Sequence, residues 1–421
     1  MKPKTSPFGF ILSFGVVSML MDIVYQAALS VQGPLLASLG ATAAIVGLVS
    51  GLGEATSLAG RLVSGPAADR TGRYWVFAIV GYAITGLAVP AMGFAGSVIG
   101  VSLLIIVERF GKSLRTPSRD AMLSHASAKV GRGKGFAIHE LMDQIGAFGG
   151  PLIVAAILQV THNAFGPALG VMIIPGVAAI VVLVVLRHRV PDPADYERED
   201  EAEAAVEEAP AEKTAAKDAT HANAQAPNAR KQRLPKLPAR FWLYTCFCGM
   251  VLAGVGTFGV MSYHMVDTGL FTAALVPILY AVAQAVDAVF ALVTGSLYDK
   301  FGVKVLFCLP VSSALVPLFV FTNSAPLVAV GVALWGMSLG IQESTMRAAV
   351  ADMVPSDRRA TSYGMFSVAT GIGTFIGATV IGALYSFGQG AIAAYSLVLQ
   401  AAALALLVYI VRTGKGVGPT A

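Results

Sequence analysis

The sequence contains twelve long apolar segments, and these constrain its fold more than any other feature. Each is about 20 residues or longer, the length that a helix needs to cross the hydrocarbon core of a bilayer. The segments cover about 8–30, 42–64, 75–95, 97–123, 135–160 and 165–187, then about 240–262, 271–296, 303–322, 326–351, 361–386 and 391–412. Only helices and closed barrels satisfy their backbone hydrogen bonds in lipid, so the segments predict an all-α, multi-pass membrane protein.

Composition agrees with a membrane environment. Of the 421 residues, 56% are hydrophobic and only 13% are charged, whereas a soluble domain is about 25% charged and needs those charges to cover its surface. The 45 glycines fit close packing between membrane helices. We expect the chain to turn at dipeptides such as Gly33-Pro34 and Gly166-Pro167.

Lysine and arginine occupy alternate connections between the segments. The connections near 31–41, 160–165, 263–270, 323–325 and 387–390 contain neither residue. The other connections contain Arg70, Arg73, Lys129, Arg132, Lys134, Lys300, Lys304, Arg358 and Arg359. By the positive-inside rule, we predict that both termini and the central loop are cytoplasmic, in an inner (plasma) membrane. Topology therefore explains the net charge of +5, and we expect no nucleic-acid partner.

The interval 190–239 differs from the rest of the chain. Its first part is rich in Ala, Glu and Asp, its end is basic, and it has too few large apolar residues to form a core. We predict a disordered cytoplasmic linker between a bundle of six helices at 1–189 and a second at 240–421. A regulatory or partner-binding role for this interval remains the alternative.

An internal repeat relates the two bundles. The second and third segments are joined by Gly65 to Arg73 (G-P-A-A-D-R-T-G-R), and the eighth and ninth by Gly295 to Gly302 (G-S-L-Y-D-K-F-G). Asp69 matches Asp299 at the same offset, because 295 − 65 and 299 − 69 both equal 230. Two similar halves in the same membrane orientation account for this offset.

The twelve segments, the repeat and the G-x-x-x-D-R-x-G-R sequence resemble the major facilitator superfamily over essentially the whole chain. The resemblance implies two pseudo-symmetric bundles of six helices. It also implies that the motif latches the ends of the two halves in one state of transport. The residues that we expect in this latch are Gly65, Asp69, Arg70, Gly72, Arg73 and Asp299.

The fifth segment contains Gly146 to Pro151 (G-A-F-G-G-P), which matches the G-x-x-x-G-P of the family's proton-driven exporters. The second glycine pair of the fuller exporter pattern is absent. Simple helix packing therefore remains an equal interpretation of these glycines.

The fourth segment ends in a charged stretch, Glu108 to Asp120. Its six charged residues fall within an arc of roughly 140° on a helix, so they are expected to face protein, water or substrate rather than lipid. The six are Glu108, Arg109, Lys112, Arg115, Arg119 and Asp120. From their depth, we predict ion pairs with the fifth segment, Arg119 with Glu140 and Arg115 with Asp143.

The deeper charged residues are the candidates for transport. Burial in a membrane cavity favours the protonated form of a carboxylate, so Asp22 and Glu54 are predicted proton carriers. The family resemblance adds Arg109, which takes the place of a fourth-helix arginine implied in proton transfer. The predicted substrate-binding residues are Arg109, Lys112, Glu108, Gln284 and Asp287. Glu343 and Arg347, four residues apart, are expected to pair with each other.

These features predict a monomeric secondary transporter that works by alternating access. We expect proton-coupled antiport that exports a small organic compound, with no cofactor and no metal site. Uptake or exchange of a small organic anion is an alternative, with Arg109 and Lys112 as the anion clamp. A non-transporting receptor or scaffold is a second alternative. An enzyme is not expected, because the sequence shows no arrangement of nucleophile and base and no set of metal ligands.

Overall fold

The computed structural model describes residues 5–127, 130–198, 237–354 and 359–413, and within these ranges the chain is helical with no strand. The amino-terminal half contains α1 (Pro7–Ser38), α2 (Ala43–Thr71), α3 (Tyr74–Met92), α4 (Val98–Ser127), α5 (Arg132–Val160), α6 (Phe165–Gly170) and α7 (Ile173–Arg189). The carboxy-terminal half contains α8 (Ala239–Val255), α9 (Phe258–Asp267), α10 (Val276–Phe301), α11 (Cys308–Val320), α12 (Ala325–Ile341), α13 (Arg347–Met353), α14 (Arg359–Leu384) and α15 (Gln389–Thr413). A 3₁₀ turn (Gly302–Phe307) joins α10 to α11, and a π-helical turn (Gln342–Met346) joins α12 to α13.

These helices agree with twelve membrane spans. Ten helical stretches in the described residues are long and apolar enough to cross a bilayer. One of them, Val276–Val320, has 45 residues, which is enough for two crossings because about 20 residues suffice for one. The remaining span is α4, whose 30 residues are long enough but carry the charged stretch. The predicted all-α fold of twelve helices is confirmed.

Both predicted turns lie in helices. Gly33 and Pro34 lie inside α1, which continues to Ser38, and Gly166 and Pro167 lie inside the short helix α6. The predicted connection from Gly65 to Arg73 is also helical as far as Thr71, and Gly72 leaves the helix with a φ of 63° that favours glycine. α1 continues past Gly33 because a backbone inside lipid must satisfy its hydrogen bonds within the helix, which opposes an open turn there.

The predicted linker begins with a segment that packs on the amino-terminal half. Tyr196 is buried, its ring lies 5.7 Å from that of Phe10, and its hydroxyl donates a hydrogen bond to the carbonyl oxygen of Thr5. Glu197 lies 2.6 Å from His125 at the end of α4. Residues 199–236, which make up most of the predicted linker, lie outside the described residues.

Glycine pairs set equivalent helix contacts in the two halves. A Cβ atom added to Gly146 or Gly150 of α5 would overlap the carbonyl oxygens of Met19 or Ile23 in α1. Gly373 and Gly377 of α14 make the same kind of contact with α8. The offsets agree, since 373 − 146 and 377 − 150 both equal 227. The glycines of the predicted exporter motif thus form the close contact between α5 and α1.

We name the two ends of the bundle by their charge. The neutral side carries the connections 39–42, 161–164 and 321–324, which contain no Lys or Arg. The basic side carries Arg70, Arg73, Lys300 and Lys304, all of which are exposed.

The two halves are closed against each other at the neutral side. There, α1 meets α9 and α2 meets α14 along backbone-to-backbone contacts. A Cβ atom on Gly33 would overlap the carbonyl oxygen of Gly259, and one on Gly47 would overlap that of Ala378. Asn163 Oδ1 also accepts a hydrogen bond from the backbone N–H of Ala274 at 3.1 Å. Toward the basic side, the charged side chains of Glu140, Glu343 and Arg347 are exposed. The space between the halves therefore opens toward the basic side.

Candidate substrate and coupling site

A cavity of about 310 Å³ lies between the two halves. Its amino-terminal wall comes from α1, α2 and α4, and its carboxy-terminal wall from α8, α9, α10, α12, α14 and the π turn. The polar and aromatic residues that line it are Tyr25, Gln26, Gln32, Ser50, Glu54, Arg109, Lys112, Thr257, Phe258, Tyr280, Gln284, Asp287, Trp335, Gln342, Glu343 and Thr374. Five of the residues predicted from the sequence therefore share one cavity: Glu54, Arg109, Lys112, Gln284 and Asp287.

Arg109 is the centre of the amino-terminal wall. Its side chain is 3% exposed, and Nη2 lies 3.1 Å from Glu54 Oε1. Nη1 donates a hydrogen bond to the Tyr25 hydroxyl, and Nε lies 3.6 Å from Glu108 Oε2, too far for a hydrogen bond. A buried guanidinium is tolerated only when its charge is compensated in this way. The sequence placed Arg109 on the inner face of α4, and the structure supplies Glu54, Glu108 and Tyr25 as its partners.

Glycine makes room for the Arg109 side chain. A Cβ atom on Gly53 of α2 would lie 3.1 Å from Arg109 Cγ, a tight contact. On the outer face of α4, Val107 and Phe110 are exposed, as expected for residues that meet lipid. The predicted charged arc therefore faces the interior of the protein.

Lys112 also contacts Tyr25 but has a different environment. Its Nζ lies 3.7 Å from the centroid of the Tyr25 ring, a cation–π contact. Among the described residues no carboxylate lies within ion-pair distance of Lys112, and its side chain lines the cavity. Glu108 lies behind Arg109, where it lines a much smaller void with Leu169.

The carboxy-terminal wall is acidic and aromatic. Asp287 and Gln284 of α10 are buried and line the cavity, and Glu343 reaches it from the π turn. Phe258, Tyr280 and Trp335 form an aromatic cluster, with ring centroids 4.7 to 6.1 Å apart. The Tyr280 hydroxyl also donates a hydrogen bond of 2.7 Å to Gln26 Oε1 and so joins the two halves.

The predicted ion pairs between the fourth and fifth segments have other partners. Arg119 pairs with Asp143 at 3.4 Å and with Asp120 at 2.9 Å, not with Glu140. Arg115 lies 4.0 Å from Asp22 on α1, not beside Asp143. The reason is that the glycine contacts bring α1 against α5, so that α1 supplies the carboxylate at the depth of Arg115.

Two further predicted residues have unexpected neighbours in the structure. Asp22 is paired with Arg115 and is not among the described residues that line the cavity. Glu140 is exposed and accepts a hydrogen bond of 3.5 Å from Gln144.

The predicted pair of Glu343 and Arg347 is also wrong, because no ion pair joins these two described side chains. Glu343 lies in the π turn, where the wider i→i+5 turn changes the rotation per residue, so residues four apart no longer face each other. Glu343 instead lines the cavity.

The predicted latch residues lie at the basic side. Asp69 accepts a hydrogen bond of 3.0 Å from the Tyr74 hydroxyl within its own half. Gly65 faces Pro117 of α4, at a distance that leaves room for an ordinary contact. Asp69, Arg70, Arg73 and Asp299 are exposed, and in this conformation no described contact joins them across the two halves.

Comparisons with known proteins agree with this architecture. The model of the Major Facilitator Superfamily matches residues 11–305 and again residues 260–420. The chain belongs to this superfamily. A protein of Mycobacterium tuberculosis (strain ATCC 25618 / H37Rv), described as uncharacterised, is 46% identical over 406 residues, which are 96% of this chain and 94% of that protein. An MFS-type transporter of Methanocaldococcus jannaschii, also described as uncharacterised, is 24% identical over 94% of this chain and 93% of its own length.

Solved structures agree on the fold. The crystal structure of a mutant of the nucleoside transporter NupG has a TM-score of 0.71 at 14% sequence identity, and the match covers 96% of this chain and all of that one. The protein is therefore a multi-pass membrane transporter that binds small molecules, and its family and fold indicate a transporter rather than an enzyme.

Several cavity residues are not found by sequence reasoning. Tyr25, Phe258, Tyr280 and Trp335 look like ordinary aromatic residues of apolar segments, and Glu343 looks like a partner of Arg347. Gln26, four residues after Asp22, is a polar residue inside an apolar run. Gln32 and Gln342 are of the same kind, and such polar residues are local signals that could have pointed to the cavity.

Proposed function

We propose that this transporter exports a small organic compound by proton-coupled antiport and works by alternating access. The proposal includes an inner-membrane location with both termini cytoplasmic, and a monomer. The observation that carries it is the position of Glu54, whose side chain is 32% exposed on the cavity wall and paired with the buried Arg109. A proton that reaches the cavity can therefore compete with Arg109 for the same carboxylate.

Protonation of Glu54 changes the electrostatics of the whole cluster. The neutral carboxyl group no longer balances Arg109, which then keeps only Glu108 and Tyr25 as partners among the described residues. Rearrangement of α2 relative to α4 becomes favourable, and α2 is also the helix that packs against α14 of the other half. Proton binding at Glu54 is thus connected to the contact that must open and close during alternating access.

Asp22 is the second proposed proton site. It lies 4.0 Å from Arg115, and its side chain is 19% exposed. Its helix, α1, contacts both α5 of its own half and α9 of the other half. We assign substrate contacts to Arg109, Lys112, Gln284 and Asp287, and the alternate closure of the basic side to the latch residues Gly65, Asp69, Arg70, Gly72, Arg73 and Asp299.

Reconstitution tests this assignment. Thermal-shift screening against drugs, sugars, amino acids and carboxylates first identifies a ligand, and flux of that ligand is then measured in proteoliposomes with an imposed pH gradient. We expect Glu54→Gln and Asp22→Asn to abolish gradient-driven flux, and Glu54→Gln to retain ligand binding. Asp192→Asn, at an exposed position outside the cavity, is the matched control. If Asp22→Asn and Glu54→Gln leave the gradient-driven flux unchanged, the assignment of proton carriers is wrong.

One observation favours the alternative of organic-anion uptake or exchange. Lys112 faces the cavity with no described carboxylate as its partner, so it is available to an anionic group of a ligand. If that alternative holds, Arg109→Gln and Lys112→Gln should raise the apparent substrate constant more than they change proton coupling. Arg109 is already engaged by Glu54 and Tyr25, which makes Lys112 the better candidate for the anion.

A further inference from the structure

The two walls of the cavity carry charges of opposite sign that lack ion-pair partners in the described part of the chain. On the amino-terminal wall, Arg109 pairs with Glu54 at 3.1 Å, whereas no described carboxylate lies within ion-pair distance of Lys112. On the carboxy-terminal wall, Asp287 and Glu343 line the cavity. Neither forms an ion pair with any of the described residues. A ligand that satisfies both walls needs an anionic group and a cationic group.

Asp287 provides the strongest single observation. The residue is only 3% exposed, and its Oδ1 atom is buried without a hydrogen-bond partner among the described residues. A buried carboxylate oxygen without a donor is costly, and such atoms are rare in folded proteins. Because Asp287 lines the cavity, a donor group of the ligand can reach it.

The aromatic cluster on the same cavity wall as Asp287 indicates which donor fits. Phe258, Tyr280 and Trp335 line the same wall, and the rings of Phe258 and Tyr280 meet edge to face at 4.7 Å. The faces of aromatic rings attract ammonium groups and also pack well against an apolar carbon skeleton. A cavity wall that combines a buried carboxylate with aromatic rings therefore suits an organic ammonium compound better than a neutral hydroxyl donor.

We propose that the cavity binds a zwitterionic organic compound that joins the two halves. Its carboxylate lies at Lys112 and its ammonium group lies at Asp287. Its carbon skeleton crosses the cavity between them, along the wall that carries the aromatic cluster. This proposal adds a substrate class to the proposed function. It rests on that function in one respect, namely that the same cavity holds the transported compound. Since Lys112 and Asp287 belong to different halves, the ligand reduces the charge cost of closing the halves around it.

A series of 4-(aminoalkyl)benzoic acids with one to four methylene groups tests the proposal. Each acid is compared with its methyl ester, which lacks the anion, and with its N-acetyl derivative, which lacks the cation. Equilibrium binding is measured with purified full-length protein in detergent. A hydrogen bond to a charged group is worth enough to change affinity by about 10- to 150-fold. We expect at least one acid to bind more tightly than both of its blocked derivatives by a factor in this range.

Variants assign each end of the ligand to its wall. Lys112→Gln should remove the advantage of the acid over its methyl ester and keep its advantage over the N-acetyl derivative. Asp287→Asn should remove the advantage over the N-acetyl derivative and keep the advantage over the methyl ester. Asp287→Ser replaces it if that variant does not purify as a folded protein. Lys304→Gln and Asp192→Asn, exposed and outside the cavity, are the charge-matched controls and should keep both preferences.

Three results would overturn the proposal. They are the absence of measurable binding across the whole series, tighter binding of a blocked derivative than of every free acid, and unchanged preferences in both Lys112→Gln and Asp287→Asn. The measurement uses no membrane and no pH gradient, so it is independent of proton coupling. Zwitterion binding without gradient-driven flux would count against the proposed antiport alone. Gradient-driven flux of another ligand without zwitterion binding would count against the substrate class alone.

Discussion

Gly33 controls how closely the two halves can approach at the neutral side. In the structure, a Cβ atom on this residue would overlap the carbonyl oxygen of Gly259 and would lie 2.7 Å from the backbone nitrogen of Tyr263, both in the opposite half. Backbone atoms cannot rotate away as a side chain can. We therefore predict that Gly33→Ala destabilises the observed conformation relative to one in which the neutral side is open.

The expected magnitude follows from the contact. Forcing one extra methyl group into a well-packed contact costs about 1–3 kcal/mol. Alanine also favours a helix over glycine by about 1 kcal/mol, but α1 stays helical in both conformations, so this gain cancels from their ratio. A difference of about 1–3 kcal/mol corresponds to a shift of about 5- to 150-fold in the ratio of the two conformations.

Thiol labelling measures this ratio. The three native cysteines, Cys246, Cys248 and Cys308, are replaced by alanine, and a single cysteine is introduced as Thr257→Cys on the cavity wall. A membrane-impermeant maleimide is then added from each side of the membrane in turn. With Gly33→Ala, we expect the labelling rate from the neutral side to rise several-fold and that from the basic side to fall.

Gly149→Ala is the matched control, because an added Cβ atom at Gly149 of α5 meets no other described atom within 4 Å. It should leave both labelling rates unchanged. If folded Gly33→Ala protein labels like the control, the close approach of α1 and α9 does not set the conformational balance, and the reasoning is refuted.

Three further predictions concern single contacts. Tyr196→Phe should lower the free energy of unfolding by about 0.5–1.5 kcal/mol through its lost hydrogen bond, and Tyr196→Ala by about 3–5 kcal/mol through its lost buried ring, as measured by thermal unfolding in detergent. Tyr280→Phe removes the hydrogen bond to Gln26 between the halves, so the labelling rates in the thiol assay should change in the same direction as with Gly33→Ala, but by less. Unchanged labelling rates would show that this bond does not stabilise the observed conformation. Arg109→Gln should lower the free energy of unfolding by about 3 kcal/mol, the lower end of the range for a broken buried pair, because Glu54 is partly exposed. Adding Glu54→Gln should restore part of this loss. An undiminished loss in the double variant would show that the broken pair is not its cause.

The membrane fold was predictable because its signals are local. The length of each apolar segment reports whether a helix can cross the bilayer, and the offset of 230 residues between Asp69 and Asp299 reports the repeat of the two halves. The charged arc of α4 was predictable for the same reason, since a helix has a fixed rotation per residue and lipid excludes charge. The inward position of Arg109 follows from these two facts.

The partners of the charged residues were not predictable in the same way. Depth alone matched Arg115 with Asp143, whereas the structure gives Arg115 the carboxylate of Asp22 because Gly146 lets α1 approach α5 closely. The pairing of Glu343 with Arg347 failed because a π turn changed the local rotation. Neither feature appears in hydropathy or in helical periodicity.

By itself, the sequence determined that the chain is a membrane protein with two related halves of six spans, and that the fourth span directs its charges inward. Only the tertiary structure decided which charges are compensated and which are not. It paired Glu54 with Arg109, left Lys112 without a described carboxylate, and placed Asp287 on a cavity wall that also carries three aromatic rings from separate helices. The physical reason is that the preference of a residue for lipid or water depends on that residue and not on distant parts of the sequence. The compensation of a buried charge depends on side chains distant in sequence, which only helix packing brings within a few ångströms.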